Sequence, residues 1–510
     1  MKTNQHHNAR TATFLLAAVT LYGAQAAASA AEPLRFEVTI DRSIREKPFT
    51  GRVLVLLSEP GSQPRFGPGW FNPKPFFAVD VKSLKPGDTV VFDDRAISFP
   101  APLSKTPAGK YAAQAVADLD PTSHEIGNHP GNGYSQPVEI EVGGSAPGVV
   151  RMVVNHVVGP QPFKETERVR LVDIESALLS RFHGRPVHMH AGIVLPEGYD
   201  KEPNRKWPVV YVIPGFGGDH TMARYMTSPQ SPLPPGPIPA IIAVLDPDAP
   251  TGHDVFADSA NNGPVGKALT TELIPAIEKR FRAVGKPDAR FLTGHSSGGW
   301  SSLWLQVAYP DFFGGTWSTS PDPVDFRDFQ RIDIYAPGEN MFTDRNGKPR
   351  PLARQGDTPV LYYKPFSDME TVLGHGGQLA SFEAVFSPRD SNGPDGQPMK
   401  LWNRKTGAID PAVAKAWEKY DINLVLERNW ATLGPKLKGK LHVITGGLDT
   451  FYLEGAVKLL KETLERLGSD AVVEIHPGKD HGTVMTRELR DRIGREMMAK
   501  YRRSTGQLVN

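Results

Sequence analysis

Between residues 34 and 142 the apolar positions come in short runs, at 35–40, 52–57, 76–80, 89–92, 111–118 and 138–142, separated by turns rich in Pro and Gly. Runs of this length with period-two or continuous apolar character predict strands. Their spacing and the lack of any helical period predict a small all-β unit, a sandwich of immunoglobulin-like kind, with a barrel as the alternative topology. Past the stretch 143–148, which reads as a linker, the pattern changes. Apolar runs at 187–195, 209–213, 240–245, 291–293, 315–318, 441–445 and 472–476 alternate with helical periodicity at 265–282, 298–308, 453–467 and 484–501. Fully apolar strands alternating with helices predict a mostly parallel sheet covered on both faces, hence an α/β unit. The expected organisation is a β-sandwich over 33–145 followed by an α/β unit over 150–505.

Three features change this picture. Residues 1–30 carry Lys2 and Arg10, an apolar run from Phe14 to about Tyr22, and the small-residue stretch Ala26 to Ala30, the layout of a secretory signal peptide. The run is too short to span a bilayer. The mature protein is therefore expected in the periplasm or outside the cell, without a membrane anchor. Without Lys2 and Arg10 the chain has 56 basic against 56 acidic residues, and it has no cysteine. A neutral chain without basic runs argues against nucleic acid as partner, and the missing thiols exclude disulfides, thiolate metal sites and cysteine catalysis. Finally, about a hundred residues rich in Pro, Gly and aromatics, 322–428, separate two expected strands of the sheet. An insertion this long predicts substrate contacts over the mouth of a site, and trimming it is expected to alter selectivity more than stability.

The candidate chemistry centres on Gly294-His295-Ser296-Ser297-Gly298, which fits G-x-S-x-G between an apolar strand and a helical run. A serine hydroxyl is a weak nucleophile and needs a base, and a sharp turn exposes it to one. Ser296 has glycines two before and two after it; Ser297 does not. His481, in a glycine-containing loop after the strand 472–476, is the expected base; His476 is read as structural and Asp480 as a surface residue. Asp449, ending the glycine loop after 441–445, is the expected acid. It could instead cap the helix that follows, and Asp322 and Asp325 are rival acids after the preceding strand. The chain order Ser, Asp, His decides for Asp449. The glycine loop after 209–213 offers the backbone N–H of Phe216 as one oxyanion donor, with that of Ser297 as the other. Asp120, His124 and His129 are irregularly spaced and read as a solvated loop, and His375 as an exposed loop histidine. No cofactor motif and no metal site is read.

Together, Pro214-Gly-Phe-Gly-Gly218, Gly294-His-Ser-Ser-Gly-Gly299, Gly446-Gly-Leu-Asp449 and Asp480-His-Gly482 resemble the esterase branch of the α/β-hydrolases, which includes enterochelin esterases, S-formylglutathione hydrolases, feruloyl esterases and mycolyltransferases. The resemblance spans about residues 185 to 500. It implies an α/β-hydrolase acting on a small or polysaccharide-linked ester through an acyl-enzyme on Ser296; the leading β unit is similar to that of enterochelin esterases, and β-rich leaders also occur on cell-wall polysaccharide esterases. Pro214 stands where many members have histidine, which touches the conformation of that loop, and the 322–428 insertion leaves the family's substrates undecided. Acyl transfer by the same triad is the alternative, and a binding protein on a hydrolase scaffold is the reading from a different class.

Overall fold

The computed structural model of the chain describes residues 34–143, 148–228, 235–391 and 396–506. The expected signal peptide and the middle of the glycine-rich stretch lie outside the described residues.

The leading unit consists of two sheets. In the smaller, Arg35–Ile40 lies between Thr89–Phe92, antiparallel, and Val149–Val154, parallel. In the larger, Phe49–Ser58 lies between Phe76–Leu84 and Gly109–Ala117, with short strands added at the edges. Phe36, Val38 and Ile40 meet Val53, Val55 and Leu57 in one buried cluster, the period-two face of each strand. The other face of the larger sheet, with Leu54, Leu56, Phe76 and Ala78, is buried as well, against the insertion. That is why 53–57 is apolar without a break: a strand covered on both faces has no polar side to present. The glycine-rich stretch does not end the unit, because Val149–Val154 beyond it returns to the first sheet and His156–Val157 pairs with the second.

The second unit is built on eight strands: β1 (Val169–Glu175), β2 (His188–Val194), β3 (Val209–Ile213), β4 (Ile241–Leu245), β5 (Arg290–His295), β6 (Gly315–Thr319), β7 (Leu441–Gly446) and β8 (Val472–His476). Their spatial order is β1-β2-β4-β3-β5-β6-β7-β8, with only β2 antiparallel to its neighbours. The central strands β3, β4 and β6 are buried along their whole length. In the edge strand β1 only Val169 and Val172 are buried, and its sequence Val-Arg-Leu-Val-Asp-Ile-Glu gives the weaker signal expected of a half-covered edge. Helices α1 (Ser297–Ala308), α2 (Ile422–Leu437), α3 (Glu454–Arg466) and α4 (Arg487–Thr505) follow or precede these strands. The helical run expected at 265–282 is α-helical at both ends with a π-helical turn at Leu269–Leu273.

The insertion is folded, not a loop. A hairpin of Pro351–Gln355 and Thr358–Tyr362 leads into helices Tyr363–Leu373 and Gln378–Phe386, then Pro411–Trp417. Helix α2 packs beside α1 and α3 and so belongs to the sheet's own layer, which puts the end of the inserted part near Asp421.

Candidate active site

Strand β5 and helix α1 join at Ser296, whose backbone stands at φ 60° and ψ −125°, a conformation that costs a non-glycine residue energy and is held by its surroundings. Three backbone bonds hold it: the Ser296 amide donates to Thr319 O (3.0 Å), and Ser296 O accepts from Trp300 N (3.0 Å) and Asp322 N (3.3 Å). The flanking glycines are required by contact. A Cβ on Gly294 would lie 2.1 Å from Gly298 O, and one on Gly298 would lie 2.0 Å from Ile213 O. The neighbouring Ser297 is buried and its hydroxyl donates to Asp322 Oδ2 at 2.5 Å, so that side chain is already committed.

His481 sits in the turn after β8. Asp480 closes this turn by accepting from the amides of Gly482 (3.0 Å) and Thr483 (2.7 Å). His481 Nδ1 donates to Asp449 Oδ2 at 2.8 Å, and Asp449 is fully buried. The other oxygen of Asp449 accepts from Phe451 N (2.9 Å), and Arg354 of the insertion hairpin donates to the Asp449 carbonyl (2.9 Å). Asp449 does not cap a helix, since α3 begins at Glu454 with Leu453 at its N-cap. Of the rival acids, Asp325 is bound to Arg327 and Asn423. Asp322 holds Ser297. Ser296, His481 and Asp322 line one cavity of about 280 Å³.

Burial disfavours the His481 cation, but the Asp449 charge and hydrogen bond outweigh it, helped by Asp322, and its pKa is raised above the ordinary 6.5. Asp322 is raised to about 6, chiefly by burial. His295, whose ring lies 4.5 Å from that of His481, is held neutral by burial and by the His481 charge. The Thr319 hydroxyl donates to Gly294 O (2.7 Å), so it must accept from His295 Nδ1–H (3.2 Å), which leaves the proton of His295 on Nδ1.

The loop after β3 passes over Ser296: a Cβ on Gly215 would lie 3.3 Å from Ser296 Cβ. This brings Phe216 to the cavity wall beside Ser296. The Ser297 amide opens α1, where backbone donors have no partner in the preceding turn. His253, which sequence reasoning missed, donates from Nε2 to Pro214 O (2.9 Å) and accepts on Nδ1 from Val255 N (3.1 Å). The bond accepted on Nδ1 requires the neutral ring, and burial lowers its pKa to about 4. It anchors the loop that carries Phe216.

The leading unit also reaches the site. Trp70 lines the Ser296 cavity, with its ring 5.1 Å from Phe366, 6.0 Å from Phe216 and 6.0 Å from Phe451. From the insertion, Gln330, Leu352, Phe366, Gln378, Leu379 and Phe382 line the same cavity. Two loop histidines differ from expectation. His124 is not solvated: its Nδ1 meets Asp248 Oδ1 at 2.5 Å and its ring lies 5.2 Å from Phe216. His129 and Asp120 stay apart from it, 3.8 Å from each other. His375 is held between Pro250 O (2.6 Å) and Asp118 Oδ2 (3.1 Å), bridging the two units. His476 pairs with Glu474 (2.8 Å).

Two groups of side chains among the described residues could hold a metal ion, Asp173 with His188 and His190, and His190 with His220 and Asp246. Neither lines the cavity. Their imidazoles are hydrogen-bonded to carboxylates, His188 to Asp173 at 2.6 Å and His220 to Asp246 at 2.7 Å. The alternation His188-x-His190 on one strand face was the signal that could have found them.

The strand order, with a single antiparallel strand and a serine on the turn after β5, defines an α/β-hydrolase. The model of the family described as "Putative esterase" matches residues 185–426 of the chain. The matched stretch contains Phe216 and Ser296 and ends before Asp449 and His481. No curated protein matches the chain. Among solved structures it is similar to a ferulic acid esterase at 12% identity, covering 65% of this chain and 98% of that one with a TM-score of 0.38. It is similar to the S-formylglutathione hydrolase of Agrobacterium tumefaciens at 14%, covering 66% and 95% with a TM-score of 0.39. It is also similar to the fluorophosphonate-binding serine hydrolase F of Staphylococcus aureus at 15%, covering 65% and 98% with a TM-score of 0.37.

Proposed function

We propose that this chain is an exported serine esterase that hydrolyses a carboxylic ester through an acyl-enzyme on Ser296. The observation that carries the reading is the hydrogen bond from His481 to the buried Asp449, with both His481 and the strained Ser296 facing one cavity. His481 Nε2 takes the Ser296 proton as Oγ attacks the ester carbonyl. The backbone N–H groups of Phe216 and Ser297 receive the oxyanion, and His481 returns the proton to the departing alcohol. Water then repeats the sequence on the acyl-enzyme. Asp449 holds Nδ1–H, which leaves Nε2 free as the base.

Export rests on the signal-like segment 1–30, and no helix among the described residues is long and apolar enough to cross a membrane. The leading β unit is read as an immunoglobulin-like sandwich of the enterochelin-esterase kind. The test is labelling with a fluorophosphonate followed by peptide mass spectrometry. The adduct is expected on Ser296, and one on Ser297 or elsewhere would overturn the reading. A screen of short aryl esters, feruloyl and acetyl sugars and siderophore lactones, run with and without an added alcohol acceptor, then separates hydrolysis from acyl transfer.

A further inference from the structure

A second cavity, of about 300 Å³, lies between the β unit and the insertion, and it is not part of the machinery around Ser296. Its wall on the β side is aliphatic, made by Leu54, Leu56 and Val116; Met369 and Leu373 face it from the insertion helix. Trp70, Phe216, Phe366 and Gln378 line both this cavity and that of Ser296, so the two share a wall to which the β unit contributes Trp70. Each cavity is at the small end of the range for small-molecule pockets, and joined they make an elongated one.

The charged and titratable groups on the second cavity are mostly spoken for. Glu370 accepts from the amides of Leu379 (2.9 Å) and Ala380 (3.1 Å), His124 meets Asp248, and His375 meets Asp118. Arg65 donates to Gly127 O (2.6 Å) and lies over the rings of Phe66 and Tyr134, at 4.2 and 4.5 Å. Glu125 is left at the rim with its pKa raised, chiefly by burial. What the cavity presents to a ligand is therefore mainly apolar surface, with Glu125 and Arg65 Nε, which has no partner among the described residues, as polar groups there. Apolar surface enclosed beside a reactive serine favours a ligand that carries apolar bulk away from the scissile bond.

We propose that this interdomain cavity is a second substrate subsite, which takes a bulky apolar arm of the ester whose carbonyl is held at Ser296, with Trp70 of the β unit governing entry. The proposal rests on the serine-esterase reading for its substrate and adds the substrate class: esters with an extended aliphatic or aryl-alkyl arm. It also gives the leading β unit a direct part in substrate choice.

The experiment compares aryl esters of acetate with those of arylalkanoates of increasing length, and acetates of the matching arylalkanols, on the full protein, Leu373→Trp and Trp70→Ala. Leu373 is half-buried and faces only the second cavity, so a larger side chain there narrows it. The ratio of kcat/KM for long-armed over short esters is expected to fall about tenfold in Leu373→Trp, mainly through KM, the size expected when a few methylenes are excluded from an apolar pocket. Trp70→Ala should flatten the length preference. An unchanged ratio in both variants, with folding verified by circular dichroism, overturns the subsite. If no ester is turned over by the wild type, the esterase reading fails on its own terms. Titration of Ser296→Ala, with and without Leu373→Trp, with 4-phenylbutanol still tests the cavity: weaker binding in the double variant supports the subsite, and equal binding or none overturns it.

Discussion

His481 answers to two carboxylates, and they do different work. Asp449 touches its Nδ1–H, whereas Asp322 acts on it only through charge while holding the Ser297 hydroxyl. Asp449→Asn keeps the shape but stabilises the wrong tautomer and leaves the imidazolium uncompensated, so turnover should fall on the order of 10⁴-fold. Asp322→Asn should cost little in turnover. Because Asp322 helps raise the His481 pKa, that variant should also move the acidic limb of the kcat/KM profile to lower pH. The wild-type limb should lie above pH 6.5, since His481 is raised and must be neutral to act as base. Stability gives an independent check. The folded pKa of Asp322, about 6, is raised above the unfolded 3.8, so its contribution is fully present below pH 3.8 and is lost as pH rises through 6. The melting temperature of Asp322→Asn relative to wild type should therefore improve between pH 4 and pH 8. Collapse of turnover in Asp322→Asn with little loss in Asp449→Asn would reassign the acid. Chain order was enough to nominate Asp449, because it reflects the order in which strands deliver side chains to one end of the sheet. It said nothing of His253, Arg354 or Trp70, whose roles exist only once distant loops meet.

The elbow shows how much of an element is legible in residues close in sequence. Gly294 and Gly298 stand where strand, turn and helix touch each other and β3, so the motif carries its own steric reason. Gly298→Ala would drive a methyl into the Ile213 carbonyl, with backbone on both sides and no flexible side chain to yield. A cost at or above the upper end of the usual overpacking range, about 3 kcal/mol or more, is expected in denaturant titration, with activity lost alongside it. A Gly298→Ala protein of wild-type stability would mean that the turn is not held as described. The same locality made β3 readable to the residue, as an unbroken apolar run. It hid β1, whose half-covered Val169–Glu175 lies on an edge, and the returning strand Val149–Val154, which pairs with a partner more than a hundred residues earlier. The helices of the insertion were hidden for another reason. Tyr363–Leu373 and Gln378–Phe386 are joined by a glycine-rich turn, and their faces are defined by partners distant in sequence, strands of the β unit for the first and residues 252–259 and Trp417 for the second.

At the scale of the molecule, those contacts make one body of what reads as two domains and an insertion. Leu54, Leu56, Phe76 and Ala78 of the β unit share a buried cluster with Phe366, Met369, Val372 and Phe382 of the insertion and with Trp300 and Leu303 of α1. Trimming the insertion would strip that cluster, so the expectation that selectivity would change more than stability does not hold for helices 363–386. Arg52 adds bonds from the β unit to Thr371 O (2.8 Å) and Val372 O (3.0 Å), and His375 adds its bond to Asp118. Calorimetry at pH 6 should therefore give a single transition; two well-separated transitions would show independent units. His375 makes part of this junction sensitive to pH. Its pKa is raised, first by the Asp118 hydrogen bond against the effect of burial, and both ring nitrogens have acceptors, so the cation is the bound form. A raised pKa stabilises fully below the unfolded value of 6.5, and the gain is lost as pH rises through the folded value. His375→Gln retains a neutral donor but cannot titrate. The side chain is about a third exposed, so solvent screening holds the effect to about 1 kcal/mol or less, or about 2 °C in melting temperature. The wild type should lose that much relative to His375→Gln on going from pH 6 to pH 9. A difference between the two proteins that stays constant over that range would remove His375 from the account of the junction and leave its stability to the apolar cluster alone.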